Sequence, residues 1–436
     1  MKKYIDKNVY DSTQERLKYI FSNFKNVLIA FSGGKDSGVL LNLAYDYAKK
    51  NNLTKKLAVY TMDYEADFEE TNKYLDRVYS NDQYPDIKKY WLCLPVSAQC
   101  SVSMYSEYWI PWEKGKKEIW CRPMPKNKNV VNEDNVCFDF KKGSYGADVR
   151  IDFSKWYSSK YGKTAVLVGI RCDESLVRLA IMTGKRKHMF NKIKSSKKIN
   201  EDTYSFYPLY DWKTQDIWKC NAVFDYDYNR IYDLMYMAGI SPHVMRVASP
   251  FHMCGQSNLS LYKAISPNTW GKMVCRVNGV NFTSIYGGTS ALGWKKITKP
   301  SHFTWEEYAK FLINTIPEDF RKKILYHINR LMDTWENKGY GRNEEVISIM
   351  KKEGVEIEHT GIECKKCTKP KYYEIVKIKN GFLDETTIPL FRKCPSWKSI
   401  CIAIMKNDYS CQTLGCSRTK EDDKKRKIAL EKYKNL

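Results

Sequence analysis

Short apolar runs bounded by turn signals punctuate the first half of the chain. Val27–Phe31 (VLIAF) is apolar at every position and rich in strand formers. A glycine-bearing turn, Ser32–Ser37 (SGGKDS), follows it. Then GVLLNLAYDYAKK places Val39, Leu40, Leu43, Ala44 and Tyr47 at helical spacing. Leu57–Met62 (LAVYTM) predicts a second buried strand ending at Asp63, and Thr164–Ile170 (TAVLVGI) predicts another central one. Strands that are continuously apolar, rather than alternating, belong in a parallel sheet covered on both faces. Strand, helix and strand make a βαβ unit with a right-handed crossover. The expected fold is α/β with a doubly wound, mainly parallel sheet and a site at the carboxyl ends of its strands.

Other regions read differently. Tyr84–Asp152 is dense in Trp, Pro, Gly and charge, and reads as an insertion whose loops line the cleft. From about 250 to 350 the pattern is mainly helical, as in Trp305–Leu312 and Phe320–Lys338, and beyond about 360 the composition shifts towards Cys and Lys. The expected organisation is an α/β domain over 1–250 with the insertion at about 84–152, a mainly helical region over 251–355 and a Cys-rich region over 356–436. A length of 436 residues suits two or three domains.

Composition narrows the classes. No run approaches the roughly 18 uninterrupted apolar residues of a membrane helix, and the charged start MKKYIDKNVY has no apolar stretch behind it. The expectation is a cytoplasmic protein with no membrane association. Lys and Arg total 73 against 50 Asp and Glu, a net charge of +23. Such an excess draws in nucleic acid or small polyanions. The plainer reading is a Lys-rich composition in which Lys185–Lys198 and Lys420–Lys427 are solvated surface. The 14 cysteines point to reduced core residues, metal ligands or catalytic thiols rather than disulfides.

Ser32–Ser37 carries the clearest chemistry. Free N–H groups at a helix N-terminus bind anions, and Gly33 and Gly34 let the backbone approach a phosphate closely. Ser32 and Ser37 add hydroxyl donors, Lys35 neutralises phosphate charge, and Asp36 caps the helix or helps hold a metal. The spacing differs from the Walker-type loop.

The string SGGKDS resembles the PP-loop of the adenine nucleotide α-hydrolase superfamily. That superfamily includes N-type ATP pyrophosphatases, the small subunit of ATP sulfurylase, tRNA thiolation enzymes and phosphoadenosine phosphosulfate (PAPS) reductases. Gly169-Ile170-Arg171-Cys172-Asp173-Glu174-Ser175 and Arg178 resemble the G-x-R-x-D-E-S…R segment of the sulfonucleotide branch. At a strand end, Arg171 makes a forked phosphate contact, Arg178 adds a second cation and Glu174 holds either arginine; the plainer role is a surface salt-bridge group. Tyr207–Trp218 (YPLYDWKTQDIW) resembles the P-L-x-D-W-x-x-x-D-[IV]-W segment of PAPS reductases; by itself it is a helix start with Thr214 as N-cap and Ile217 and Trp218 inward. Met245–Phe251, Pro267–Trp270 and Pro395–Asp408 are similar to a PAPS-reductase-like subgroup with a C-terminal domain of unknown function, variously called a reductase or co-activator. One departure matters: the E-C-G-L-H-type tail of assimilatory reductases is missing, which puts direct reduction of PAPS in doubt.

The resemblance implies a site of Ser32, Gly33, Gly34, Lys35, Asp36, Ser37, Asp63, Gly169, Arg171, Glu174 and Arg178. Lys35, Asp36 and Arg171 are its catalytic members, and ATP or PAPS with Mg²⁺ its ligands. The first reading is an enzyme that cleaves ATP between the α- and β-phosphates, adenylylates an acceptor and releases pyrophosphate. The second binds PAPS or a related 3′-phosphonucleotide, with Arg178 and Lys185–Lys187 as extra cations. The third is a nucleotide-sensing regulator, associated with nucleic acid and with the ParB-like partner beside which such family members occur.

Cys364-Lys365-Lys366-Cys367 is a CxxC knuckle, and Cys411 and Cys416 are spaced as a second. Together they make a candidate tetrahedral zinc site; an iron–sulfur cluster, a redox pair or ordinary reduced thiols are the alternatives. His252 and Cys254 form a candidate catalytic pair whose bland reading is packing.

Overall fold

The computed structural model describes residues 5–416 except 81–82, 104–105, 184–188, 253–254, 256–258, 287–296, 365–372 and 387–394. Helix α1 (Val9–Asn23) leads into strand β1 (Asn26–Ala30), and α2 (Lys35–Lys50) returns to β2 (Leu57–Met62). Then come α3 (Glu69–Tyr79), β3 (Lys88–Leu92), a hairpin of β4 (Ala98–Gln99) and β5 (Tyr108–Trp109), and β6 (Val130–Val131). The α/β part closes with α4 (Gly146–Tyr161), β7 (Thr164–Val168), α5 (Leu176–Thr183), β8 (Ser196–Lys198) and β9 (Thr203–Phe206).

Seven of these strands form one sheet in the order β6-β3-β2-β1-β7-β9-β8. Every pairing is parallel except β8 with β9. Side chains alternate between its faces. Val27 and Ile29 of β1 pack against α1, α2 and α3 on one side, and Leu28 meets Val149, Phe153 and Tyr157 of α4 on the other. The expected doubly wound α/β sheet is present. The segment 84–152, read as an insertion, also supplies β3, a sheet strand in register with β2 from Ala58↔Lys88 to Met62↔Leu92. Two lysines at its start hide the strand; Lys89 is buried, and its ammonium donates to the Ser80 carbonyl.

The order matters for function. From β1 the chain winds outward through β2, β3 and β6, then returns to place β7 on the opposite side of β1. The crevice outside the carboxyl ends of β1 and β7 is the topological switch point, where such sheets bind ligands.

The rest of the chain is mainly helical: α6 (Thr214–Val223), α7 (Ile231–Met237), α8 (Leu259–Ile265), α9 (Pro267–Arg276), α10 (Val280–Tyr286), α11 (Trp305–Thr315), α12 (Glu318–Asp333) and α13 (Glu344–Lys352). An antiparallel sheet of β10 (Tyr340–Arg342), β11 (Ile357–Glu363) and β12 (Glu374–Ile378), followed by α14 (Trp397–Met405), completes it. One apolar cluster runs from Ile297 to Leu414 and crosses the boundary expected at 355/356. Another ties Ala66 and Phe68, just after β2, to Ile231, Met245, Phe251 and Met273. Among the described residues no helix is long and apolar enough to cross a membrane.

Candidate functional site

The turn after β1 is built around Gly33, whose φ of +70° suits glycine; a Cβ there would also press on Thr71 at 3.3 Å. Gly34 is the N-cap of α2 and offers no side chain to the helix end. Among the described residues, the N–H groups of Gly33 and Gly34 meet no protein acceptor. Ser32 and Ser37, expected to add hydroxyl donors, also bond within the turn. Their hydroxyls lie 3.0 Å apart, and Ser37 Oγ also accepts from the Ser32 N–H at 3.2 Å and donates to the Gly34 carbonyl at 3.0 Å.

Lys35 and Arg171 converge on Asp36 from opposite sides. Lys35 Nζ is 3.2 Å from Asp36 Oδ2, and Arg171 Nε donates to Oδ1. Both cations are deeply buried, Lys35 at 4% and Arg171 at 2% exposure. The Arg171 NH1 nitrogen is buried with no hydrogen-bond acceptor, and the Asp173 carboxylate lies 3.9 Å from it. Gly169 lets β7 approach: a Cβ there would lie 3.1 Å from the Asp36 carbonyl and the Ser37 nitrogen. Glu174 pairs with Arg178 at 3.1 Å and with Arg246 at 3.8 Å, and Arg246 also donates to the Glu174 carbonyl at 2.7 Å.

The loop is covered from above. The Lys35 N–H donates to the Tyr232 hydroxyl at 3.0 Å, and Lys35 Nζ donates to the Met245 carbonyl at 3.2 Å. Asn229, fully buried, donates to the Gly33 carbonyl at 2.8 Å and to Thr71 at 2.9 Å. Neither Tyr232 nor Asn229 is legible as a site residue in the sequence. The Trp218 ring stands edge-on to Tyr232 at 5.4 Å, so the YPLYDWKTQDIW segment reaches the loop through Tyr232. Thr214 is the first residue of α6 rather than its N-cap; the cap is Lys213, whose N–H donates to Asp216 at 2.7 Å.

Asp63 follows β2 and, among the described residues, makes no hydrogen bond to Ser32–Ser37. It accepts from Trp91 Nε1 at 2.7 Å, from the Glu65 N–H at 2.8 Å and from Arg122. Nearby, burial and the Asp63 carboxylate push the Asp67 carboxyl up to about 7, against the pull of Arg122. Glu65 is fully buried with φ +69°. It takes a two-pronged contact from Arg276 at 2.9 and 3.2 Å and accepts from the backbones of Trp112 and Cys121 at 2.8 and 2.9 Å.

The four-cysteine zinc site is not assembled among the described residues, which hold no group of three or more His, Cys, Asp or Glu able to bind a metal. Cys364 follows β11, while Cys367, Cys254, Lys185–Lys187 and Lys420–Lys427 lie outside the described residues. Cys411 and Cys416 do meet. The Cys411 thiol, with His327 beside it, holds Cys416 towards thiolate, and the same contact together with burial pushes Cys411 up.

A phosphate loop at the switch point of a parallel sheet, with an arginine supplied by the neighbouring strand, defines a PP-loop α/β protein. Residues 26–238 match the phosphoadenosine phosphosulfate reductase domain, and residues 239–425 match a domain of unknown function, DUF3440. "Uncharacterized protein YbdN" of Escherichia coli (strain K12) is 31% identical over 429 residues, 96% of this chain and 93% of that protein. The chain therefore belongs to the family that joins a PAPS reductase domain to this C-terminal domain. Solved structures with a similar arrangement include PAPS reductase from Candida auris in a phosphate complex (16% identity, 51% of this chain and 84% of that one, TM-score 0.29). The U34-tRNA thiolase NcsA from Methanococcus maripaludis is another (14%, 69% and 86%, TM-score 0.30). A third is FMN adenylyltransferase from Candida glabrata (13%, TM-score 0.30), where the match covers 51% of this chain and 57% of the enzyme.

Proposed function

We propose that this protein is an adenine-nucleotide-dependent enzyme that cleaves ATP between its α- and β-phosphates and adenylylates an acceptor, with pyrophosphate as the leaving group. The observation that carries the reading is the convergence of Lys35 and Arg171 on Asp36, directly after the Gly33–Gly34 turn whose N–H groups meet no protein acceptor among the described residues. In the reaction a nucleophilic oxygen of the acceptor bonds to the α-phosphorus. The bond from that phosphorus to the bridging oxygen breaks, and the electron pair leaves on pyrophosphate. In this reading the Gly33 and Gly34 N–H groups and Lys35 hold the β- and γ-phosphates, and Arg171 binds charge developing on the leaving group. Asp36 keeps the two cations in position.

Mg²⁺ does not fit the loop as it stands. Both oxygens of Asp36 are engaged, one by Arg171 and one by Lys35, so no step is assigned to the ion. Incubation with α-labelled ATP and candidate acceptors tests the reading: labelled adenylyl product or AMP with pyrophosphate is expected, and ADP with phosphate alone refutes it. Lys35→Ala should lower turnover by roughly 10²–10³-fold.

A sulfonucleotide reading is favoured by the cluster of Arg178 and Arg246 around Glu174, two cations beyond those at the loop. Titration with ATP and PAPS side by side separates the two. Tighter PAPS binding that falls to the ATP level in Arg178→Ala supports the second.

A further inference from the structure

We propose that the cavity at the N-terminus of α4 is a second anion site, which takes the carboxylate or phosphate of a small molecule. It has a volume of about 230 Å³ and is lined by Tyr64, Ser97, Tyr145, Arg150, Ser249 and His252 among others. None of its described lining residues is an Asp or Glu.

Its charge is uncompensated. Arg150 NH1 donates to the Tyr64 hydroxyl at 2.7 Å, and among the described residues the guanidinium has no carboxylate within ion-pair distance. A part-buried cation with a phenol as its hydrogen-bond partner gains when an anion joins it. Burial and the Arg150 charge push the His252 imidazole below its usual range, as expected of a ring beside an unopposed cation. Ser249 lines the same cavity, and its hydroxyl is buried with no hydrogen-bond partner. Helix α4 is 16 residues long and presents its positive end here. The Gly146 N–H is taken by the Ser97 carbonyl at 3.3 Å, whereas that of Ala147 has no acceptor among the described residues. The guanidinium residue and the helix end border one space, and together they complement an oxyanion.

This site does not depend on the nucleotide reading. It shares the carboxyl edge of the sheet with the phosphate loop, since Tyr64 follows Asp63 at the end of β2. The stretch from Met245, which covers Lys35, to Ser249 and His252, which line the cavity, spans both places.

The test uses inorganic phosphate and acetate as probes on the full chain, with binding followed by calorimetry and thermal shift. In Lys35→Ala, where the loop is weakened, at least one probe should still bind and raise the melting temperature. Adding Arg150→Gln should weaken that binding at least about tenfold, and adding Ser249→Ala about threefold. The acetate and phosphate arms say which headgroup the site prefers. Because Arg150→Gln could unfold the chain, a selenate soak of wild-type crystals gives a second readout, with an anomalous peak expected beside Arg150 and Ser249. Equal binding by Lys35→Ala with and without Arg150→Gln, or selenate confined to Ser32–Ser37, overturns the proposal.

Discussion

Gly169 shows how tightly single positions are set. Its missing Cβ is what lets β7 lie against the Asp36 backbone. Gly169→Ala is expected to cost about 1–3 kcal/mol through overpacking, measured by denaturant unfolding, and to weaken nucleotide binding in parallel. Asp67 makes a pH prediction. Its carboxyl is harder to ionise folded than unfolded, so the folded chain binds that proton more tightly. Stability from this group is therefore fullest below the unfolded value of about 4 and falls as pH rises towards about 7. Asp67→Asn should raise the melting temperature relative to wild type at pH 8 and leave the difference near zero at pH 4. The loop residues were legible because their signal is local: six consecutive positions after an apolar strand. Tyr232, Asn229 and Arg276 were not, because each arrives from about 200 residues away and owes its role to the fold.

Elements were readable where one pattern dominated. β1, β2 and β7 are apolar but for Asn26, Thr61 and Thr164 and fall within a residue or two of where the pattern put them, whereas β3 opens with two lysines, Lys88 exposed and Lys89 buried. Helix α9 illustrates what no pattern announces. Through Arg276 it grips Glu65, which also holds the Trp112 and Cys121 backbones, so one carboxylate joins β2, the following loop and α9. Glu65→Leu leaves a buried guanidinium unpaired and should cost about 3–5 kcal/mol. Arg276→Met should cost less, because Glu65 keeps its two backbone donors. Urea denaturation of both variants checks the ranking.

For the whole molecule, the order of the sheet places the phosphate loop, and the family's C-terminal part closes over it. Met245 belongs to the region matched by the domain of unknown function, yet its carbonyl sits on the loop lysine. Tyr232→Phe removes one of the covering contacts. It should tighten nucleotide binding several-fold while lowering stability by about 1 kcal/mol, read by titration and by thermal unfolding. Hydrogen exchange over 245–252 should rise on nucleotide addition if the cover lifts as a unit.

That cover also sets a threshold. If the Tyr232 and Met245 contacts together favour the shut loop by about 2 kcal/mol, only about 3% of molecules stand open at any moment. The apparent dissociation constant is then roughly thirtyfold weaker than that of the open loop. On the proposed reading, the nucleotide concentration that half-fills the loop is then set by these two hydrogen bonds as much as by the phosphate site itself.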